Sequence, residues 1–223
     1  MIITDKVTQL PRVWYHGTTS SHLDSLAEEI KLIKGRVDTD FGRGFYLTTN
    51  WAQVHAWAKN VLEVEADTEK EKNIYPFIFE YELDTKGLME MNGKIFSKPN
   101  EEWAKYILLN RTRKKDGSIY YNKILTQDFF GHCLLEQFDF FYGPMADGGR
   151  LNTSIQRIKR ERIGVPQFLD AVVSKRYTFP TTHQLSLHTQ HALRFLRLKG
   201  VFNVELGEWH TEYSQRTPKI SNG

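Results

Sequence analysis

The run Tyr75-Pro76-Phe77-Ile78-Phe79-Glu80-Tyr81-Glu82-Leu83 constrains the fold more than any other stretch of this chain. Tyr75, Phe77, Phe79, Tyr81 and Leu83 recur with a period of two, so an extended backbone sets them on one face, whereas a helix would scatter them around its circumference. A row of rings ending in a leucine has to be covered, and only distant parts of the chain can cover it. Pro76 has no amide donor, so the strand begins at the proline or lies at a sheet edge.

Two shorter runs share a different design. In Val13-Trp14-Tyr15-His16-Gly17-Thr18-Thr19 and in Asp40-Phe41-Gly42-Arg43-Gly44-Phe45-Tyr46-Leu47-Thr48-Thr49, apolar and aromatic residues are joined to small, hydroxylated or glycine residues. That suits a buried strand whose tip lets another molecule approach the backbone closely. One tip presents a histidine, the other a tyrosine.

Around these runs the elements follow from spacing. Residues 12–16 predict the first strand. Ser21 with Asp24 has the form of a capping box, and Leu23, Leu26, Ala27 and Ile30 fall on one helical face, turned toward the core. A loop bearing Lys31, Lys34 and Arg36 follows. Asn50, with Gln53 three residues on, predicts a cap for a helix from Trp51 to about Glu65, and Asn100 caps another containing Trp103, Ile107 and Leu108. That helix ends before Arg111-Thr112-Arg113-Lys114-Lys115-Asp116-Gly117, whose Asp-Gly pair signals a turn and puts the basic run on an exposed loop. Residues 138–142 predict a buried strand ending at Gly143-Pro144, with a flexible loop from Ala146 to Arg150 after it. A second basic cluster, Arg157, Lys159, Arg160 and Arg162, belongs to a helix stopping near Gly164, and Pro166 suits the first turn of a helix reaching about Arg176. Gln184 to Leu187 predicts a strand, Thr189 a cap for a helix that packs Ala192, Leu193 and Leu196 inward.

At 223 residues, with no repeat, low-complexity tract or linker, the chain has room for one sizeable core. We expect a single domain over residues 1–206 and a loose polar tail over 207–223. The start, Met1-Ile2-Ile3-Thr4-Asp5-Lys6, has neither the basic end nor the apolar core of a secretory signal, and no run approaches the ~20 apolar residues that span a bilayer. A lone cysteine, Cys133, cannot pair within the chain; it is expected to be a small buried hydrophobe, in keeping with a reducing cytoplasm. No metal is expected: a second cysteine and a His-x-x-x-His pattern are missing, and His183, His188 and His191 straddle a strand-to-helix junction. The net charge of +3 neither requires nor excludes a polyanionic partner.

Tyr15-His16-Gly17-Thr18, a helix, and then Phe41-Gly42-Arg43-Gly44-Phe45-Tyr46-Leu47-Thr48-Thr49 resemble the first two signatures of the ADP-ribosyltransferase superfamily. The histidine-tyrosine branch, which includes diphtheria toxin and the poly(ADP-ribose) polymerases, is the closer match. Within it the chain is similar to a bacterial group carrying Gly-Pro-x-Ala-Asp and a late Gln-x-Ser-x-His-Thr, here Gly143-Pro144-Met145-Ala146-Asp147 and Gln184-Leu185-Ser186-Leu187-His188-Thr189. The pieces occur in the expected order and span most of the chain.

The resemblance implies an α+β ADP-ribosyltransferase-like fold, two packed β-sheets with flanking helices around an NAD cleft. NAD enters as co-substrate. The resemblance also implies a role for each residue: His16 on the nicotinamide-side ribose, the Gly17 backbone on the carboxamide, Tyr46 stacked on the nicotinamide ring. Thr18 can add a hydroxyl, and Arg43 a charge-assisted contact to the pyrophosphate. The best-known members of the superfamily place a glutamate where this chain has Gln184, and a neutral amide orients a hydroxyl without contributing formal charge, which argues against polymer extension. Three explanations stay open: Gln184 suffices for single transfer, Asp147 or Asp139 supplies the charge, or the domain binds NAD without turnover.

The expected activity is therefore mono-ADP-ribosyl transfer to a macromolecule. Arg111, Arg113, Lys114 and Lys115 with Arg157, Lys159, Arg160 and Arg162 offer a phosphate-binding surface, and Tyr120 and Tyr121 offer base stacking, which places RNA or DNA ahead of a protein acceptor. Similarity to toxins and antiviral defence effectors implies an antitoxin or inhibitor partner and no membrane. NAD hydrolysis, a non-catalytic NAD or nucleotide sensor, and a nucleic-acid-binding module with a vestigial cleft are the alternatives.

Overall fold

A computed structural model describes residues 10–68, 73–114, 116–146, 150–173 and 182–213. It is a mixed α+β structure. Along the chain run β1 (Val13–Thr19), α1 (Leu23–Glu28), β2 (Phe45–Thr48), α2 (Trp51–Thr68), β3 (Pro76–Leu83), α3 (Thr85–Leu88), β4 (Gly93–Ile95) and α4 (Glu101–Arg111). The second half holds α5 (Gln127–Phe130), β5 (Phe140–Pro144), α6 (Leu151–Lys159), α7 (Val165–Val172), β6 (His183–Leu187), α8 (Gln190–Leu193), β7 (Leu196–Asn203) and β8 (Glu208–His210).

The strands form one eight-stranded sheet in the order β4-β5-β6-β2-β1-β3-β7-β8, where two packed sheets were expected. The joint between the halves is the reason. β1 and β2 share the single register pair Tyr15–Thr48, enough to make the sheet continuous, while β1–β3, β3–β7, β2–β6 and β5–β6 carry longer antiparallel ladders.

Pro76 opens β3, as its missing donor allows, and β3 lies between β1 and β7 rather than at an edge. The ring row lands as its period dictates: Phe77, Phe79, Tyr81 and Leu83 are buried with Trp14, Phe45 and Leu47 in the core on one face of the sheet, while Tyr75 stays outside the strand and exposed. The opposite face carries two further clusters. Val54 and Ala58 of α2 close over Ile78, and Phe41, Trp103, Ile107, Phe141 and Phe168 pack between the sheet and helices α4 and α7.

The Asn50, Asn100 and Thr189 caps form, accepting from Gln53 N at 3.2 Å, Trp103 N at 2.8 Å and Ala192 N at 3.2 Å. The Ser21 capping box does not: Ser21 Oγ donates to Glu65 of α2 at 2.8 Å, joined there by Thr19 Oγ1 at 2.5 Å. A nearby carboxylate simply outcompetes the helix end for the hydroxyl. Leu196 belongs to β7, not to a helix, because Leu196 and Leu198 alternate with exposed Arg197 and Lys199 at the strand period. Part of the expected loose tail also forms structure: β8 adds to the sheet, with Trp209 opposite Phe202 and its ring tilted against it at 5.3 Å. Cys133 is buried, and burial pushes its thiol pKa up. No helix among the described residues is long and apolar enough to cross a membrane.

Candidate active site

The two signature strands meet at the joint between the half-sheets. Continued by one step of an antiparallel ladder, the pair Tyr15–Thr48 would set Gly17 opposite Tyr46; no such pair forms. The Tyr46 carbonyl is taken instead by a side chain, His16, whose Nδ1 lies 2.8 Å from it. A carbonyl only accepts, so Nδ1 carries the proton and donates, and in the neutral ring Nε2 is left as an acceptor. Burial pushes the His16 pKa down to about 4 against the opposing pull of that hydrogen bond, which keeps the ring neutral near pH 7. The imidazole stacks on Phe45 at 4.3 Å.

The Tyr46 ring is held from its far end. Its hydroxyl donates to Gly42 O at 2.7 Å and receives the Phe41 N–H at 3.0 Å and Thr39 Oγ1 at 2.9 Å. The turn that offers these partners depends on Gly42, whose φ of 83° is left-handed and whose missing Cβ would sit 2.8 Å from Asn110 Oδ1. Burial pushes the phenol pKa up, so the hydroxyl stays a donor.

Gln184 stands opposite Thr48 on one side and Gly143 on the other, so a row Tyr15–Thr48–Gln184–Gly143 crosses the joint. Residues directly opposite share a face, and Tyr46, two residues before Thr48, shares it too. His16 belongs to the other face and reaches Tyr46 through the gap. Gln184 is buried, and its Nε2 donates to Asp40 Oδ2 at 2.7 Å.

Asp40 is the residue that spacing alone did not single out. Only 3% exposed, it also accepts from Ala146 N at 2.8 Å and, at Oδ1, from Arg111 Nε at 2.9 Å and Nη2 at 2.6 Å. A carboxylate heading an aromatic, glycine-rich run was the available signal, but an aspartate before a glycine turn reads as turn chemistry. Arg111 is corrected with it. Placed by sequence in an exposed basic run, it sits at the end of α4 with its guanidinium on Asp40 and on Asp38 O.

The other expected residues separate. Asp147 lies outside the described residues. Asp139 is no partner for Gln184: it accepts from Thr189 Oγ1 at 2.7 Å and Asn92 N at 3.0 Å, just before Phe140, whereas Gln184 is opposite Gly143 at the other end of the ladder. Thr18 is buried opposite Phe77. Gly17 has a structural reason for lacking a Cβ, which would lie 2.9 Å from Val54 O and 3.2 Å from Ala58 N of α2. His183 opens β6 and His188 follows its last residue, both pushed down to about 4 by burial, and His191 is exposed on α8; among the described residues no group of ligands suits a metal.

Arg43 is exposed and, with Phe41, Asn110 and Arg113, walls two adjoining cavities of about 310 and 300 Å³. His188 lines the second, with Nε2 2.9 Å from Ser186 Oγ; His16, Gly17 and Gln184 line neither. Of the basic residues, Lys114, Arg157, Arg160 and Arg162 are exposed, and Lys115 lies outside the described residues. Tyr120 is committed to α6, its hydroxyl donating to Lys159 O at 3.1 Å under the Lys159 ammonium, while Tyr121 is exposed. The loop after the first basic run thus packs on the end of the helix that bears the second.

A sequence-family model described as "Protein of unknown function (DUF3990)" matches residues 13–198, from the first residue of β1 into β7. No curated protein and no solved structure matches the chain.

Proposed function

The chain belongs to the DUF3990 family, whose description carries no activity, and from the geometry of the β1–β2 joint we propose that it transfers one ADP-ribose from NAD to a macromolecular acceptor. In this reaction the bond between ribose C1′ and the nicotinamide ring nitrogen breaks, its electron pair leaves with nicotinamide, and the acceptor's lone pair closes on C1′ while the acceptor loses a proton. The transition state carries positive charge on the ribose. The protein's work is to hold the ribose, position the leaving ring and balance that charge.

One observation carries the reading: the His16–Tyr46 hydrogen bond across the joint. It fixes the tautomer that leaves Nε2 to accept from a ribose hydroxyl, and the depressed pKa keeps that acceptor available at neutral pH. Tyr46 offers an aromatic face whose hydroxyl is already occupied, so the ring can stack without a competing polar demand. Gln184, on the same face, adds an amide to orient a hydroxyl. The exposed Arg157, Arg160 and Arg162 favour a phosphate-bearing acceptor, RNA or DNA, over a protein one.

The test is incubation of the chain with NAD labelled on the adenylate phosphate in cell extract, split into nuclease-treated and protease-treated halves. Label that nuclease removes is expected; label that protease removes assigns a protein acceptor, and nicotinamide release without label assigns water. His16→Ala is expected to abolish label incorporation and nicotinamide release with the fold intact by circular dichroism. Full activity in that variant would sink the site.

A further inference from the structure

A carboxylate that stabilises a cationic ribose does two things at once: it accepts a hydroxyl hydrogen bond and it brings negative charge. Gln184 can do the first only. Yet its amide is not isolated. Its Nε2 lies 2.7 Å from Oδ2 of Asp40, a carboxylate buried almost completely and held by Arg111 through Nε and Nη2.

We propose that Asp40 is a positioning residue for Gln184, so that the acceptor atom and the negative charge are divided between two side chains. This rests on the transferase reading given above. The partners follow from hydrogen-bond chemistry. Oδ1 is occupied by the Arg111 guanidinium and Oδ2 by the Ala146 N–H and the Gln184 amide, so every contact to the carboxylate comes from a donor. Only the NH₂ end of the Gln184 amide can face such a group, and a flipped amide would bring two acceptors together. The Oε1 end is thereby fixed as the acceptor. The same hydrogen bond polarises the amide, drawing electron density toward Oε1, and the low dielectric of a buried site strengthens that effect.

The arrangement also explains why Arg111 is withdrawn from the surface. A buried carboxylate without a partner is costly, and a guanidinium with two N–H groups on Oδ1 both neutralises it and leaves Oδ2 to face Gln184.

A merely structural clasp would use the same bonds, so the test has to separate the two. The full chain, Asp40→Asn, Gln184→Glu and the double variant Asp40→Asn/Gln184→Glu are compared for nicotinamide release, with kcat and KM for NAD measured separately and melting temperature recorded. Asp40→Asn keeps the outline, removes the charge and turns an NH₂ group toward donors, so either the Arg111 bonds or those from Ala146 N and Gln184 Nε2 are lost with it. It is expected to lower kcat about 10- to 100-fold, the range for loss of a charge-assisted hydrogen bond, with KM nearly unchanged. Gln184→Glu alone sets two carboxylates at hydrogen-bond distance and serves as the parent of the double variant. The double variant moves the charge onto residue 184 and is expected to recover at least about tenfold of the lost kcat.

A folded Asp40→Asn chain with wild-type kcat overturns the proposal, and so does a double variant no faster than Asp40→Asn. Should Asp40→Asn melt below the assay temperature, Asp40→Asn/Arg111→Gln removes both charges together; wild-type kcat in that chain overturns the proposal, and the same kcat loss supports it. A wild-type chain that neither binds NAD nor releases nicotinamide overturns the transferase reading and this inference together, whereas wild-type turnover unaffected by Asp40→Asn overturns the inference alone.

Discussion

The two flanks of β1 are built to different rules. Toward β3 the ladder runs from Val13 opposite Glu82 to Thr19 opposite Pro76; toward β2 it consists of Tyr15 opposite Thr48. Backbone groups on the first flank are paired by other backbone, the solution any sheet interior requires. On the second, a backbone carbonyl is paired by an imidazole, so a titratable side chain enters where a ladder bond would be. The interrupted ladder thus admits an imidazole into the sheet and still pairs the Tyr46 carbonyl.

The contrast can be broken from the ladder side first. Phe79→Ala removes a fully buried ring from the core beneath the continuous flank and is expected to cost about 3–5 kcal/mol in urea denaturation. A cost below about 1 kcal/mol would mean that this flank is not where stability resides. Gly17→Ala probes the strand between the two flanks. Its Cβ would press on backbone atoms of α2, Val54 O at 2.9 Å and Ala58 N at 3.2 Å, so a loss of about 1–3 kcal/mol is expected. An unchanged melting temperature would show that α2 can shift away.

The pH dependence sharpens the comparison from the other side. His16, His183 and His188 are each held to about 4 by burial, below their ordinary value of 6.5. The unfolded chain binds protons that the folded chain refuses between those values. Stability from these groups is therefore complete above pH 6.5 and is lost as pH falls toward 4, at most about 1.4 kcal/mol per pH unit for each histidine. Denaturation midpoints taken across this window should fall with acid, and His16→Gln should flatten the slope by one histidine's share. An identical slope in that variant would mean that His16 titrates normally.

What could be read from sequence divides along the same line. The ring row of β3, the three asparagine and threonine caps and the α+β character depend on neighbours a few residues apart, and local spacing carries them. The joint does not. That β2 meets β1 at one pair, making one sheet from two expected ones, depends on how β3 and β6 hold their partners. His16 and Tyr46 were legible as a pair through resemblance, but the hydrogen bond that sets the tautomer was not. Asp40 and Arg111 stayed hidden for a plainer reason: they are 71 residues apart, and each has an ordinary local explanation, a turn and a charged loop. The polar stretch after Gly207 misled because its rings are few and their partners distant in sequence: Trp209 lies near Trp51 and Phe202, and Tyr213 packs on the core.

The loop from Thr39 to Gly42 has a mechanical consequence. It grips the Tyr46 hydroxyl through Phe41 N and Gly42 O, and the same loop carries the carboxylate that grips the Gln184 amide. Ring and amide therefore hang from one lever. Arg111 in turn ties that loop to the end of α4, so the ring, the amide and the helix end share one four-residue anchor.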